Sequence, residues 1–265
     1  MIEEKKYLYC AIKEKIPKKF DILGQEGKEV YTINEAPKES LRDPTGQGDL
    51  AMVVSNTLKE EYSFIKEHLT CHQKVIEGVM KEGYDVLPVR FGTVAKNEED
   101  IREKILKLKK EQLLETFKIV EGRIELGLRA LWKDMANVFQ EIVRENLELQ
   151  KAKRQVQRNP NQFKIAAVGE LVQKALDLRR EREAQKILSS LKKLAVDFKE
   201  RELLRNPDPM KDSMILSSAF LVPKKTEKEF DKRVERLVKA YDGRVRFIYM
   251  GPIPPFNFVE LHLKI

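Results

Sequence analysis

With 265 residues, the chain is long enough for two domains, since one domain usually takes roughly 100–200 residues. Hydrophobic residues make up 42% of it, enough to fill buried cores, and its 35% of charged residues indicate long solvated helices rather than disorder, because apolar residues recur among the charges. Two distant cysteines, Cys10 and Cys71, exclude a disulfide framework and predict a reducing compartment. No apolar run approaches the ~20 residues that span a bilayer, and the charged start is unlike a signal peptide, so we expect a soluble cytoplasmic protein without a membrane partner.

The net charge of +8 is concentrated in one segment of the chain. Residues 151–205 contain 15 lysines and arginines against 7 aspartates and glutamates, so the rest of the chain is close to neutral. A basic segment favours acidic partners such as nucleic acid, an anionic membrane or an acidic protein surface. The simpler interpretation is that these charges solvate one face of a helical hairpin.

Residues 1–120 predict an N-terminal α/β domain in which two strands precede a helix, a strand and a second helix. Pro88 lies inside one of the strands and cannot donate to a ladder, so it marks an edge or a bulge. Aromatic and apolar runs predict strands at residues 7–12, 49–57 and 86–94, with residues 29–34 as a candidate edge strand.

Two helices are expected in this domain. Apolar residues that step by three and four predict a helix over residues 58–83. A second helix is predicted over residues 97–110, with Asn97 as its N-cap, because acidic residues fill its first turn and lysines follow, as the helix dipole favours.

Residues 121–265 predict a C-terminal domain with a ferredoxin-like sheet and a long helical hairpin inserted at about 134–205, which makes the fold class α+β. Asn159 and Pro160 separate the two helices of the hairpin. Helices are expected at residues 134–157, 163–205 and 228–241. Strands are expected at residues 123–132, 213–222, 244–250 and 258–265.

The stretch GPIPPFNFVEL, residues 251–261, contains three prolines. Prolines fix φ and push the preceding residue into an extended conformation, so we expect a rigid crossing from residues 244–250 to the last strand, which would return beside them. Phe256 at the end of this crossing either packs over the edge of the sheet or meets a partner, and packing is the favoured interpretation.

Residues with catalytic or metal-binding potential are few. There is no GxGxxG or GxxxxGK[ST] motif, and the glycine-rich loop at residues 43–49 precedes a strand rather than a helix, unlike a phosphate-binding loop. His68, Cys71 and His72 are a candidate metal site, and a metal-dependent enzyme is one alternative, but His72 lies on the apolar stripe and is better explained as a packed core histidine. No nucleophile has an identifiable base, so we expect no enzyme activity, no cofactor and no small-molecule substrate.

Arg90 in LPVRFGT and the basic segment leave two further interpretations open. Arg90 is either partly buried beside an acidic partner, which is the favoured interpretation, or directed at a ligand. A nucleic-acid-binding α/β protein that uses the hairpin at 151–205 is the main alternative function, although no aromatic interleaving or base-reading motif supports it.

Four stretches, YLYCAI, VLPVRFGT, ELGLRALW and GPIPPFNFVEL, occur here in the order and spacing of the gas vesicle protein GvpF/GvpL family, which the whole chain resembles. The resemblance implies a two-domain α/β protein that is not an enzyme. It implies an accessory or structural role in gas vesicle assembly, and hence buoyancy, with the shell protein and other accessory proteins as partners. It also implies a cytoplasmic protein associated with the gas vesicle.

The family has no catalytic residues to transfer, so the matching motif positions are the candidate interaction residues. They belong to LPVRFGT and to GPIPPFNFVEL. These positions are Pro88, Arg90, Phe91, Gly92, Gly251, Pro252, Pro254, Pro255, Phe256 and Phe258.

Overall fold

A computed structural model describes residues 4–35, 50–203 and 213–263 of the protein. Contacts between Cα atoms divide the chain into two compact units. Unit 1 comprises Met1–Glu125 and Pro252–Ile265, and unit 2 comprises Leu126–Gly251. The C-terminal residues, which the expected division assigned to the second domain, therefore lie in unit 1.

Unit 1 is built on a six-stranded sheet with the strand order β2-β3-β4-β1-β5, in which β6 also pairs with β1. The central strand β1 has fully buried side chains from Tyr7 to Ile12, as its apolar sequence predicts. The pairs formed by β1 with β4, β5 and β6 are antiparallel, as are those of β3 with β2 and β4. The strands are β1 Lys5–Lys13, β2 Lys19–Leu23, β3 Glu29–Asn34, β4 Leu50–Thr57, β5 Leu87–Pro88 and β6 Val94–Ala95.

Three details of this sheet differ from the sequence prediction. The strand β2 was not predicted, and it takes the edge position that was expected for β3. The single strand expected over residues 86–94 is divided into β5 and β6, because Gly92 between them has a φ of 81° and cannot continue an extended strand. The prediction at residues 49–57 is confirmed over β4, and Asp49 and the loop at 43–48 lie outside the described residues.

Helices cover both faces of this sheet. The helix α1, Lys66–Lys81, packs Val75, Ile76 and Val79 against one face. The other face receives Ile101, Phe117 and their neighbours from α2 Glu98–Asp100, a π-helical segment Ile101–Lys107 and α3 Lys110–Val120. Each fully buried side chain of this size contributes about 1.5–3 kcal/mol, so both layers stabilise the sheet.

The helix boundaries of unit 1 confirm one signal and correct two others. The Asn97 side chain accepts a hydrogen bond of 2.9 Å from the backbone N–H of Asp100, as its predicted capping role requires. The following helical run continues to Val120, ten residues beyond the predicted end. The helix expected from residue 58 begins only at Lys66, because Tyr62 packs its ring against Tyr7 in a non-helical segment.

Unit 2 contains a four-stranded sheet with the order β10-β7-β9-β8. Its elements follow the chain order strand, helices, strand, strand, helix, strand. The strands are β7 Arg123–Trp132, β8 Asp197–Glu200, β9 Ser213–Pro223 and β10 Val245–Ile253. The helices are α4 Met135–Glu145, α5 Leu147–Arg158, α6 Gln162–Leu191 and α7 Glu227–Ala240. The predictions for β7, β9 and α7 are confirmed to within a few residues.

The predicted helical hairpin is wrong at two places. The first helix is interrupted at Asn146, whose side chain accepts hydrogen bonds from the N–H groups of Glu148 and Leu149 and so starts α5. The second helix ends at Leu191 rather than at residue 205, and β8 pairs antiparallel with β9 in a register that sets Phe198 opposite Phe220. Residues 204–205 lie outside the described part of the chain.

The end of the chain also differs from the prediction. Gly251 and Pro252 continue β10, so they are part of a strand and not a separate crossing. Within residues 258–263 no regular strand forms, and Leu261 makes a single parallel bridge with Val89 of unit 1. The predicted return beside residues 244–250 is therefore wrong, and residues 264–265 lie outside the described residues.

Candidate functional site

Three motif segments that are distant in sequence meet in unit 1. The backbone N–H of Leu261 donates to the carbonyl oxygen of Pro88 at 2.9 Å, and the N–H of Arg90 donates to the carbonyl oxygen of Leu261 at 3.1 Å. These two bonds join the LPVRFGT segment to the end of GPIPPFNFVEL. We call this meeting point the motif junction, formed by residues 87–93, Glu125 and residues 254–261.

Glu125 connects the third motif, ELGLRALW, to the same junction. Its carboxylate is fully buried and accepts a hydrogen bond of 2.9 Å from the backbone N–H of Asn257. The side-chain Nδ2 of Asn257 donates to the other carboxylate oxygen. A buried carboxylate is stable only when donors satisfy it, so this pair fixes the position of the C-terminal segment. The sequence analysis identified neither residue, because they are 132 positions apart.

His72 and Tyr7 support the LPVRFGT segment from inside the core. The imidazole Nε2 lies 3.1 Å from the carbonyl oxygen of Val89, which can only accept, so Nε2 carries the proton. Nδ1 then accepts from the Tyr7 hydroxyl at 3.0 Å, and that hydroxyl accepts from the N–H of Gly92 at 3.2 Å. Burial lowers the pKa of His72 to about 4 against the opposing effect of the Val89 hydrogen bond, and burial raises the pKa of Tyr7.

This arrangement favours the core histidine over the metal site at His68, Cys71 and His72. Both ring nitrogens of His72 are used in hydrogen bonds within the core. Across residues 4–35, 50–203 and 213–263, no group of three or more His, Cys, Asp or Glu side chains is placed to bind a metal ion. Burial also raises the pKa of the Cys71 thiol, which keeps it in the protonated form that binds metals poorly.

Backbone geometry explains why LPVRFGT contains Gly92 and why GPIPPFNFVEL begins with Gly251. Gly92 has a φ of 81° and Gly251 a φ of 138°, conformations that side chains with a Cβ rarely adopt. Gly92 turns the chain out of β5 and places its N–H on the Tyr7 hydroxyl. Both glycines are therefore required for backbone shape.

The later prolines and the aromatic residues of the C-terminal motif pack into unit 1, whereas Pro252 is exposed. Pro254 and Pro255 are buried. Phe256 packs against the core cluster that contains Tyr7, and Phe258 packs against the cluster that contains Leu8, on the opposite face of β1. Their contacts support the packing interpretation of this motif.

A different group of residues faces solvent beside the junction. Arg90 is exposed, and within the described residues its guanidinium forms no ion pair or hydrogen bond, so the expected buried pair with an acidic partner is wrong. Phe91 is half-buried, and its ring lies 5.0 Å from the ring of Phe64, which is 72% exposed. Arg90, Phe91 and Phe64 are hereafter called the aromatic surface. The sequence analysis missed Phe64 because its neighbourhood was assigned to a helix.

The basic residues of the predicted hairpin lie on both of its long helices, four on α5 and six on α6. Lys151, Lys153, Arg154 and Arg158 are exposed, and none forms an ion pair with another described residue. Phe163 is 86% exposed at the start of α6. A single exposed ring beside four cations does not provide the interleaved aromatic residues of a nucleic-acid-binding surface.

The chain matches known proteins over almost its full length. The family profile described as gas vesicle synthesis protein GvpL/GvpF matches residues 5–260. Gas vesicle protein F of Microcystis aeruginosa is 28% identical over 257 residues, which cover 96% of this chain and 98% of that protein. Gas vesicle protein F1 of Halobacterium salinarum is 23% identical over 263 residues, covering 98% and 95% of the two chains.

Two solved structures are similar in both sequence and fold. The crystal structure of GvpF from Anabaena sp. PCC7120 superposes with a TM-score of 0.79 at 27% identity, over 98% of this chain and 100% of that one. The crystal structure of GvpF from Microcystis aeruginosa gives a TM-score of 0.75 at 26% identity, over 97% and 99% of the two chains. The mixed α/β architecture of the present chain matches theirs.

These relatives are gas vesicle proteins and not members of a known enzyme family. No helix within residues 4–35, 50–203 and 213–263 is both long and apolar enough to cross a membrane. The resemblance carried by the four sequence motifs is confirmed by the profile, by the relatives and by the superposed structures. The chain belongs to the GvpL/GvpF family of gas vesicle synthesis proteins.

Proposed function

We propose that the protein is a non-enzymatic accessory or structural component that binds the gas vesicle shell protein and other accessory proteins during vesicle assembly. It acts in the cytoplasm, in association with the growing vesicle. Its family and the relatives that share almost its whole length support a role in gas vesicles. The relatives compared above that carry a branch name are F proteins, which favours the F branch over the L branch.

The observation that carries this proposal is the aromatic surface beside the motif junction. The exposed ring of Phe64 and the half-buried ring of Phe91 lie near Arg90, which has no partner among the described residues. Aromatic residues and arginine are the residue types that dominate the binding energy of protein interfaces. The motif junction fixes the backbone from which Arg90 and Phe91 project, so the surface is preorganised for binding. The family motifs thus hold the backbone rigidly, and the residues of the aromatic surface contact the partner protein.

The chemistry of the junction supports binding rather than catalysis. Glu125 within it, and His72 and Tyr7 that support it from the core, are buried and use their polar atoms in hydrogen bonds with neighbouring residues. A catalytic acid or base must reach a substrate, whereas these groups are enclosed by the core. The exposed Arg90 and the half-buried ring of Phe91 are residue types suited to recognition.

Two finer features of the architecture belong to the same proposal. We infer that units 1 and 2 are separate domains, with a boundary close to residues 121–126 and with the C-terminal segment returning to the first. The sheet order β10-β7-β9-β8, together with the chain order of its strands and helices, supports a ferredoxin-like second domain that carries α4, α5 and α6 between its first two strands.

The experiment that tests the proposal measures binding of purified shell protein to the full chain. Separate halves cut near residue 121 are unsuitable, because residues 252–265 are part of unit 1. We expect Phe64→Ala with Phe91→Ala to weaken binding by roughly tenfold or more, and Arg90→Ala to weaken it further. Ile16→Ala with Leu23→Ala is a matched control, because both residues are exposed apolar residues of unit 1 outside the aromatic surface.

Folding of each variant is verified by circular dichroism before binding is compared. Equal loss of binding in the control pair would assign the effect to general surface hydrophobicity and not to the aromatic surface. If the unmodified chain binds no shell protein, and deletion of its gene leaves vesicles unchanged, the proposed function is wrong.

A further inference from the structure

A groove in unit 2 runs along one face of α6. Six residues of this helix line it at the spacing i, i+3, i+4, i+7, i+8 and i+11, which places all of them on one side. They are Ala175, Leu178, Arg179, Arg182, Glu183 and Lys186. From the first to the last they span about 16 Å, the length of three helical turns.

Two adjoining cavities form the groove. One has a volume of about 350 Å³ and lies between α6 and the junction of α4 with α5. The other has a volume of about 420 Å³ and lies between α6 and the segment that joins α7 to β10. Glu145, Arg179 and Arg182 line both cavities, so the groove is continuous.

The two ends of the groove have different chemistry. At one end Leu147 is 72% exposed and Leu178 is 47% exposed, and both line the smaller cavity. At the other end Arg182 and Lys186 are exposed, and within the described residues neither forms an ion pair. Apolar side chains are thus exposed within one to two helical turns of unpaired cations.

Arg179, at the floor of the groove, is not available to a ligand. Its three nitrogens donate to Glu183 at 2.7 Å, Glu145 at 2.7 Å and Glu141 at 3.0 Å. Glu183 in turn accepts from Trp132 Nε1 at 2.8 Å, and Arg244 donates to Glu141 at 2.9 Å, so Arg179 and Arg244 are both paired within this network. The groove therefore presents Arg182 and Lys186 outward at its polar end, and the exposed Glu148 adds one carboxylate beside the leucine end.

We propose that this groove binds an acidic amphipathic helical segment of a partner protein. Apolar side chains of that segment contact Leu147 and Leu178, and its carboxylates pair with Arg182 and Lys186. A nucleic acid would meet the cations with its phosphates but would leave the leucine end unused, so the combined chemistry favours a protein segment. The groove is a second binding surface, separate from the aromatic surface, and the proposal does not depend on the shell protein being the partner.

The test uses the full chain and a fluorescein-labelled probe. The probe is a helical peptide of about 14 residues, with two leucines one turn apart at one end and three glutamates over the next two turns. A peptide of the same composition in scrambled order is the control probe. Fluorescence anisotropy is measured at about 50 mM and about 300 mM NaCl, because contacts between charges weaken over this range.

We expect Arg182→Gln with Lys186→Gln to weaken binding of the patterned peptide by roughly tenfold and to remove most of its salt dependence. Leu147→Ala with Leu178→Ala weakens binding at both salt concentrations, because apolar contacts are not screened. Lys232→Gln with Arg236→Gln is the matched control, since it removes two exposed cations from α7 of the same unit and leaves binding within roughly twofold of the unmodified chain.

Several outcomes would overturn the proposal. The proposal is wrong if the patterned peptide does not bind or if the scrambled peptide binds equally well. It is also wrong if the α7 control weakens binding as much as the groove variant does. Displacement of the peptide by random-sequence duplex DNA that binds more tightly would assign the groove to nucleic acid instead. Each result leaves the aromatic surface and its own test unaffected.

Discussion

Acidification should destabilise the protein through His72, whose imidazole is held neutral inside unit 1. The native pKa of about 4 lies below the ordinary value of 6.5, so between these values the unfolded chain binds a proton that the folded chain does not. Stability therefore falls as pH decreases through this window. Since each pKa unit corresponds to about 1.4 kcal/mol, the loss is about 2 kcal/mol from pH 7 to pH 5 and about 3 kcal/mol by pH 4.

The structural cause is the pair of hydrogen bonds made by the neutral ring. Protonation of Nδ1 would remove the acceptor for the Tyr7 hydroxyl and place a charge in a site without a carboxylate partner. The Val89 carbonyl would still accept from Nε2, so only part of the interaction survives. The bond between Tyr7 and His72, the two side chains that support the LPVRFGT segment from the core, would lose its present donor and acceptor.

The assay is an NMR titration of the histidine ring protons together with urea unfolding at matched pH values. The chain has three histidines, and His72 is the one expected to titrate near 4. The variant His72→Gln removes the titrating group, so the difference in unfolding free energy between it and the unmodified chain isolates the contribution of the imidazole from that of the carboxylates. A titration of His72 near 6.5, or a difference that does not change between about pH 7 and about pH 5, would refute this reasoning.

Two further substitutions test the backbone and the buried network. Gly251→Ala forces a φ of 138° on a residue with a Cβ, so it should cost about 1–2 kcal/mol of unfolding free energy and lower the melting temperature. Gly169→Ala is the control, because a Cβ at this position of α6 would meet no neighbouring atom, and it should leave the melting temperature unchanged or raise it. Arg179→Ala leaves the buried Glu183 carboxylate without its main cation and should destabilise unit 2 by about 3–5 kcal/mol. Unfolding is followed by the fluorescence of Trp132, because the indole of this residue donates to the same carboxylate.

Elements with strong local signals could be predicted from the sequence. The continuous apolar run in β1 predicted a buried strand, and Asn97 followed by three acidic residues predicted a helix start that the hydrogen bond to Asp100 confirms. In both cases the information lies within a few residues of the element. Tertiary contacts do not change the outcome there.

Elements whose ends depend on distant partners were predicted less well. The helix predicted over residues 163–205 included Phe198, yet that residue lies in β8 opposite Phe220. Spacing by three and four included Leu58 in the helix predicted over residues 58–83, although the chain is not helical there and Tyr62 packs on Tyr7. Periodicity identifies which residues share a face, but the pairing partner decides where a helix stops.

The candidate site likewise depends on contacts between residues that are distant in sequence. The motif residues were recognisable one by one, and the roles of Gly92 and Gly251 follow from their positive φ values. The contact of Glu125 with Asn257 has no local signal, because a glutamate in an alternating strand is normally exposed. Only the folded chain reveals that this carboxylate is buried and satisfied by the C-terminal segment.

The C-terminal segment explains why a proline is tolerated in β5. Pro88 lies between β1 and residue 261, and it is the N–H of Val89 that donates to Tyr9 of β1, at 2.9 Å. On the other side the Pro88 carbonyl oxygen accepts from the N–H of Leu261, and the Arg90 N–H donates to the carbonyl oxygen of Leu261. Neither neighbour therefore needs the backbone donor that proline lacks.

The same segment protects an edge of the unit 1 sheet. Strand β5 ends the sheet on that side, and an unpaired edge would invite association with other chains. The bridge to Leu261 covers this edge, and Val259 and Leu261 complete the core cluster that includes Phe117. Since the LPVRFGT and GPIPPFNFVEL segments pair directly with each other, we expect a change in either motif to displace the other, and through it the half-buried ring of Phe91.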